Sequence, residues 1–150
     1  LAIMNTASEV GYGNVISALA AFGIVKMFLL GISSNPLVSE AISVSVLAGI
    51  TGSASGGLSI ALATLGDTFL ETAKQIGLNP QVLHRVASVA CGGLDTLPHN
   101  GAVITLLGIT GMTHKQSYID IGMCTVIIPT ISVIAIIILG SMHGNRMRNH

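Results

Sequence analysis

Gly92-Gly93-Leu94-Asp95-Thr96-Leu97-Pro98-His99-Asn100-Gly101 stands inside an otherwise apolar stretch that runs from Val82 to Met112. Its glycines and its proline disfavour continuous helix. Asp95, His99 and Asn100 put strong polarity where the flanks are hydrocarbon. A second stretch of this kind, Thr51-Gly52-Ser53-Ala54-Ser55-Gly56-Gly57, interrupts the apolar region from Leu37 to Gly66. Each flank is material for half a membrane crossing, a full one taking about 20 apolar residues. Two further regions, Asn14 to Ser33 and Tyr118 to Met142, approach a full crossing. Pro129 lies inside the last and predicts a kink, because it removes one backbone hydrogen bond.

Composition sets the solvent. Apolar residues make up 51% of the chain and charged residues 8%, where a soluble domain carries roughly a quarter charged. Mean hydropathy is +0.80. Most of the surface must therefore face lipid or other protein. Formal net charge is zero, so there is no basic field to hold nucleic acid. The expected fold is an all-α, polytopic transmembrane helical bundle with broken helices, lying in one domain over residues 1–150. The opening Leu1-Ala2-Ile3-Met4 has no charged n-region, so it is not a signal peptide. It reads as a cut inside a longer protein, and the chain as that protein's C-terminal part. Cys91 and Cys124 sit in apolar runs without metal-type spacing and read as reduced thiols.

Helix starts are marked. Asn35-Pro36 and Asn79-Pro80 each pair an N-cap with proline at the first helical position. Thr113 with Gln116 fits a capping box. Asp67 to Gln81 is the most polar internal stretch and reads as a surface loop, with a short helix closed by Gly77. Lys74 and Arg85 flank that loop, Arg146 and Arg148 follow the last helix, and Lys115 is alone in the opposite loop. The excess of positive charge places the C-terminus in the cytoplasm.

Loose backbone at membrane depth is tolerated where it lines a polar cavity or is buried in protein. Paired half-helices aim their positive N-terminal ends at an anion in such a place. The first break offers the hydroxyls of Ser53, Ser55 and Ser59, with Gly56 and Gly57 where backbone can approach a ligand; its alternative reading is a small-residue packing seam from Gly52 to Gly56. In the second break, Thr96 and Asn100 can bind substrate. Asp95 and His99 can take up a proton, since ionisable groups at that depth are functional candidates. The plainer readings make Asp95 or Thr96 the N-cap of a half-helix beginning at Pro98, and His99 a neutral hydrogen-bonding group. No second ligand stands at helical spacing from His99, so no metal is expected. Gly11, Tyr12, Gly13 and Asn14 read either as the tip of a re-entrant hairpin or as a loop at a helix start. Lys26 lies deep in the first apolar region. Glu40, in the first turns of its helix, suits the helix dipole and reads as structural. His114, His143 and His150 read as solvated.

Thr51-Gly52-Ser53-Ala54-Ser55-Gly56-Gly57-Leu58-Ser59-Ile60, together with Gly92-Gly93-Leu94-Asp95-Thr96-Leu97-Pro98-His99-Asn100-Gly101-Ala102, resembles the gluconate permease family of bacterial proton symporters. The likeness runs from about Gly11 to Gly140 and is nearest to the D-β-hydroxybutyrate permeases of that family. The resemblance implies a multi-pass carrier in the bacterial inner membrane, built with hairpins and broken helices.

The expectation is therefore a transporter and not an enzyme, without cofactor, importing a small hydroxy-carboxylate with a coupling proton, set in the lipid bilayer, with a homo-oligomer allowed. An intramembrane enzyme built on Ser55 and His99, and a channel or non-catalytic membrane subunit, are the competing classes.

Overall fold

The computed structural model describes residues 2–147. Among these the chain is helical and holds no strand. The helices are α1 (Ala2–Ala18), α2 (Ala20–Leu30), α3 (Pro36–Thr51), α4 (Ala54–Gln75), α5 (Pro80–Ala90), α6 (Gly101–Thr110), α7 (His114–Gly122) and α8 (Ile128–Met147). A π-helical turn, Met123–Ile127, joins α7 to α8 without a gap.

The local chemistry explains most of these ends. The Asn35 side chain accepts from Leu37 N at 3.0 Å and the Asn79 side chain from Gln81 N at 2.9 Å. Each leads into a proline at the first helical position, where the missing N–H costs nothing. Gln116 Oε1 accepts from Thr113 N at 3.0 Å, closing the start of α7. Gly52, Gly77 and Gly111 follow helix ends with φ of 63°, 71° and 67°, the left-handed conformation that terminates helices and that glycine adopts without penalty.

The decisive element is the turn between α3 and α4. Gly52 ends one helix and Ser53 caps the next, its hydroxyl accepting from Gly56 N at 3.2 Å. The chain reverses there. A side chain on Gly57 would collide with the backbone of Ala48, so the two helices touch backbone to backbone just past the turn. At the far end, Pro36 and Ser39 of α3 share a cavity with Thr68, Phe69 and Thr72 of α4. The stretch expected as a break inside one crossing is thus the tip of an antiparallel helical hairpin. The packing face accounts for it: two arms can approach this closely only where one lacks a β-carbon.

α5 packs against α3 in the same direction. Ser45 donates to Ala90 O at 2.8 Å, and Leu94 and Leu97 cover Gly49. α8 runs back along α5 and α3, with Gly140 seated against Val82 and Leu37. The core they enclose includes Leu37, Val44, Leu47, Leu65, Val86 and Ala90. Outside it, Phe28, Ile109, Ile131 and Leu139 are exposed, a surface that water does not tolerate over so wide an area. Many hydroxyls are turned back onto their own helices: Thr64, Ser88, Thr110 and Ser132 each donate to the carbonyl four residues earlier, which hides polarity without a partner helix.

Among the described residues, His114–Met142 is the one helix long and apolar enough to cross a membrane, and its 29 residues extend about 43 Å at the usual rise. Pro129 stands just after the π-helical turn. The ring removes a donor and crowds the carbonyl four residues back, and the wider π turn relieves both. Three sequence expectations are corrected. Asp67 to Gln75 belongs to α4, not to a separate short helix in a loop, because the polar positions share one exposed face and need no break. Asn14 to Ser33 is two helices, parted at Leu19, which is extended; Phe22 and Leu29 anchor the second one in the core. Gly11 to Asn14 lies within α1 and forms no hairpin tip.

Candidate functional site

The hairpin tip and the non-helical segment 91–100 meet. Asn100 makes the junction. Its Nδ2 donates to Gly52 O at 2.8 Å and also to Asp95 O. Its Oδ1 accepts from Ala102 N and, at 3.1 Å, from Val103 N. Asn100, and not Asp95 or Thr96, is therefore the cap of α6, and the helix begins at Gly101 rather than Pro98. An asparagine in this position satisfies two first-turn donors while its amide hydrogens remain free to bridge elsewhere. His99 Nε2 lies 3.0 Å from Gly49 O, and its ring packs on Gly52, where a β-carbon would come within 3.0 Å of His99 Cδ2.

Three carbonyls at the end of α5 and in the non-helical segment are answered from other elements. Ala90 O takes Ser45, Thr96 O takes the Tyr118 hydroxyl at 3.1 Å, and Pro98 O lies 3.1 Å from His114 Nε2. Thr96 Oγ1 pairs with Thr125 Oγ1 in the π-helical turn. This is how backbone without helical bonds survives away from water: side chains complete it. Tyr118, Thr125 and His114 were not among the sequence candidates, and His114 is a clamp on this segment rather than merely solvated. The side chains of His143 and His150 lie outside the described residues.

The expected site residues thus divide by role. Asn100 and Thr96 have their polar atoms committed to protein. Ser53 is buried as the cap of α4, and its hydroxyl is 3.2 Å from that of Ser55. Gly57 turns its bare face to Ala48, so no ligand approaches there. Ser55, exposed in the first turn of α4, remains open, and Ser59 is exposed one turn further on. Gly56 is buried beneath Ser53. Asp95 Oδ1 is buried with no hydrogen-bond partner among the described residues. The hydroxyl of Ser55 is bonded to Ser53 and the His99 ring to a backbone carbonyl, so no bonded serine–histidine pair is formed. No group of three metal-ligating side chains occurs among the described residues. Cys91 and Cys124 are free thiols.

The N-termini of α4 and α6 consequently start side by side, linked through Asn100 and Gly52. The first N–H groups of a helix have no intrahelical partner and carry the positive end of its dipole. These two ends are joined at one irregular junction, into which Asn100 also draws the Asp95 backbone carbonyl. A cavity of about 470 Å³ lies elsewhere, between α3, α5 and α8, and is almost wholly apolar; it borders the junction only at Gly93 and Leu94.

Over 144 residues, 96% of its length, the chain is 49% identical to a protein of Bacillus subtilis (strain 168) named "Uncharacterized transporter YxjC". The chain spans 30% of that relative's length. No protein-family model matches the chain, and no solved structure does.

Proposed function

We propose that this chain is the C-terminal part of a secondary active transporter that brings a small hydroxy-carboxylate, of the gluconate or 3-hydroxybutyrate type, across the bacterial inner membrane together with a proton. The observation that carries the reading is the convergence of the α4 and α6 N-termini at a junction where backbone is deliberately irregular. A carboxylate suits that junction because two positive dipole ends favour negative charge, even with Ser53 and Asn100 capping first-turn N–H groups. The relative named a transporter supports the same class, as does the apolar outer surface.

In this reading the α3–α4 hairpin is re-entrant. α3 has 16 residues, about 24 Å of helix, which is less than the roughly 30 Å of hydrocarbon. Its base carries the exposed Asp67, Glu71 and Lys74, and its tip stops within the membrane. The exposed Ser55 hydroxyl at the start of α4 receives the carboxylate. Ser53, Gly57, Thr96 and Asn100 hold the tip and the segment in shape, and Asp95 or His99 takes the proton. Alternating access follows from movement of the tip against the segment, exposing the junction to one side and then the other.

The test is uptake by the full-length protein in proteoliposomes, with and without an imposed pH gradient, and counterflow across gluconate, 3-hydroxybutyrate, lactate and citrate. The expected result is saturable counterflow of one or more hydroxy acids and accumulation only with the gradient. Accumulation indifferent to the gradient rejects proton coupling. Normal transport by both Asp95→Asn and His99→Gln rejects the assignment of the proton to those two residues. Absence of counterflow for every acid rejects the carrier itself.

A further inference from the structure

Glu40 lies on α3, one turn from its start, and its side chain is 3% exposed. Its Oε2 is buried and has no hydrogen-bond partner among the described residues. The group borders a cavity of about 200 Å³ between α3, α4 and α5. The wall opposite is hydrocarbon, including Leu58, Leu62, Phe69 and Leu83. The polar side chains that join Glu40 there are His84 and Ser88 of α5, both exposed on their outer side. α3 packs against α1, α2, α4, α5 and α8. The described ionisable side chains on those helices are Tyr12, Lys26, Asp67, Glu71, Lys74, His84 and Arg85, and of these His84 alone borders the cavity. Among the described residues, no Lys or Arg lines the cavity beside Glu40.

An unpaired carboxylate in such surroundings costs several kcal/mol, and uptake of one proton removes that cost. Sequence alone assigns Glu40 to the helix dipole, but the residue stands beyond the first turn of α3, where that effect falls off. A hard metal cation is a poorer occupant, since it wants a shell of oxygen ligands and the cavity offers few. Glu40 also stands on the hairpin arm itself, about 18 Å of helix below the tip at Gly52 by the usual rise. A change of charge there acts on the packing of α3 against α4 and α5, the element that carries the tip.

We infer that the Glu40 carboxyl is a proton-binding site of the transporter, separate from the hairpin-tip junction and reached from the cavity mouth at His84. It rests on the carrier reading and deepens its coupling. Proton loss charges the hairpin arm and disfavours its packed position. Proton gain restores it, so the arm's position follows proton occupancy as well as substrate.

The experiment uses the full-length protein in proteoliposomes, as wild type and as Glu40→Gln. Counterflow, which needs no net proton movement, is compared with gradient-driven accumulation. The expected result is that Glu40→Gln keeps counterflow and loses accumulation above the equilibrium level. In parallel, the wild type is treated with a hydrophobic carbodiimide, which attacks buried protonated carboxyls, and the modified residue is located by mass spectrometry. Labelling of Glu40 that declines as the pH is raised is expected. Full accumulation by Glu40→Gln overturns the inference, as does loss of counterflow together with accumulation, and as does a wild-type Glu40 that stays unlabelled at every pH. Wild-type protein without counterflow sinks the carrier reading instead, and the labelling arm still decides whether Glu40 takes up a proton.

Discussion

At the scale of single residues, Asn100 concentrates the most consequences. It caps α6, anchors the segment to Gly52 and closes the segment on Asp95 O. Replacing a cap of this type by alanine costs about 1 kcal/mol. Leaving the buried Gly52 and Asp95 carbonyls without their donor adds roughly 1–3 kcal/mol. Asn100→Ala should therefore lower the unfolding temperature in detergent clearly and stop transport. Asn100→Ser keeps a capping oxygen but not the bridge, and should fall between the two. Equal melting of all three proteins would show that the bridge carries no weight. Gly57 makes the complementary case. A methyl group there meets the backbone of Ala48, which cannot turn aside as a side chain can, so Gly57→Ala should cost about 1–3 kcal/mol by overpacking. Gly56→Ala would meet side chains alone, Ser53 Cβ at 3.3 Å and Thr51 Oγ1 at 3.7 Å, and should be the milder of the two in the same melting assay.

At the scale of elements, helical character was legible from hydrophobicity and from the Asn-Pro starts, whereas chain direction was not. Thr51 to Gly57 reads as an interruption either way, and only the backbone contact of Gly57 with Ala48 distinguishes a reversal from a gap. One signal was present in the sequence: Gly52 directly followed by Ser53 is a helix terminator followed at once by a helix starter, the grammar of a short αα turn. The role of Glu40 was hidden for a different reason. A place near a helix start says nothing of burial, which α4 and α5 decide. The clamp on segment 91–100 was equally invisible, since Thr125, Tyr118 and His114 reach it from a helix that begins more than a dozen residues later in the chain. That clamp is testable. Thr125→Val keeps the shape of the π-helical turn's side chain and removes its pairing with Thr96, a loss of about 1 kcal/mol. Hydrogen exchange should quicken at Asp95 to Leu97 while α3 and α4 stay protected. Exchange unchanged in the segment would mean that Thr96 is held by Tyr118 alone.

At the scale of the whole molecule, the arrangement of the helices makes a claim about sidedness. Gly140 of α8 sits on Val82 and Leu37, so the C-terminal end of α8, the start of α5 and the base of the α3–α4 hairpin share one end of the bundle. Lys74 and Arg85 belong to that end, and Arg146 and Arg148 follow it in sequence. Lys115 stands near the start of α7, at the other end of the long apolar helix. Because positive residues accumulate on the cytoplasmic side, the expected orientation has the hairpin entering from the cytoplasm with its tip pointing outward. Two single-cysteine forms of the full-length protein check this, each made after removal of Cys91, Cys124 and every other native cysteine. Lys74→Cys should react with a membrane-impermeant maleimide only in inside-out vesicles, and Lys115→Cys only in right-side-out ones. Labelling of both positions from one face would mean that α7 and α8 do not cross between them, and the re-entrant hairpin would lose the frame that defines its depth. Labelling from opposite faces but in reversed order would leave the hairpin intact and turn it over, so that the junction opens first to the cytoplasm and Glu40 faces the proton-rich side.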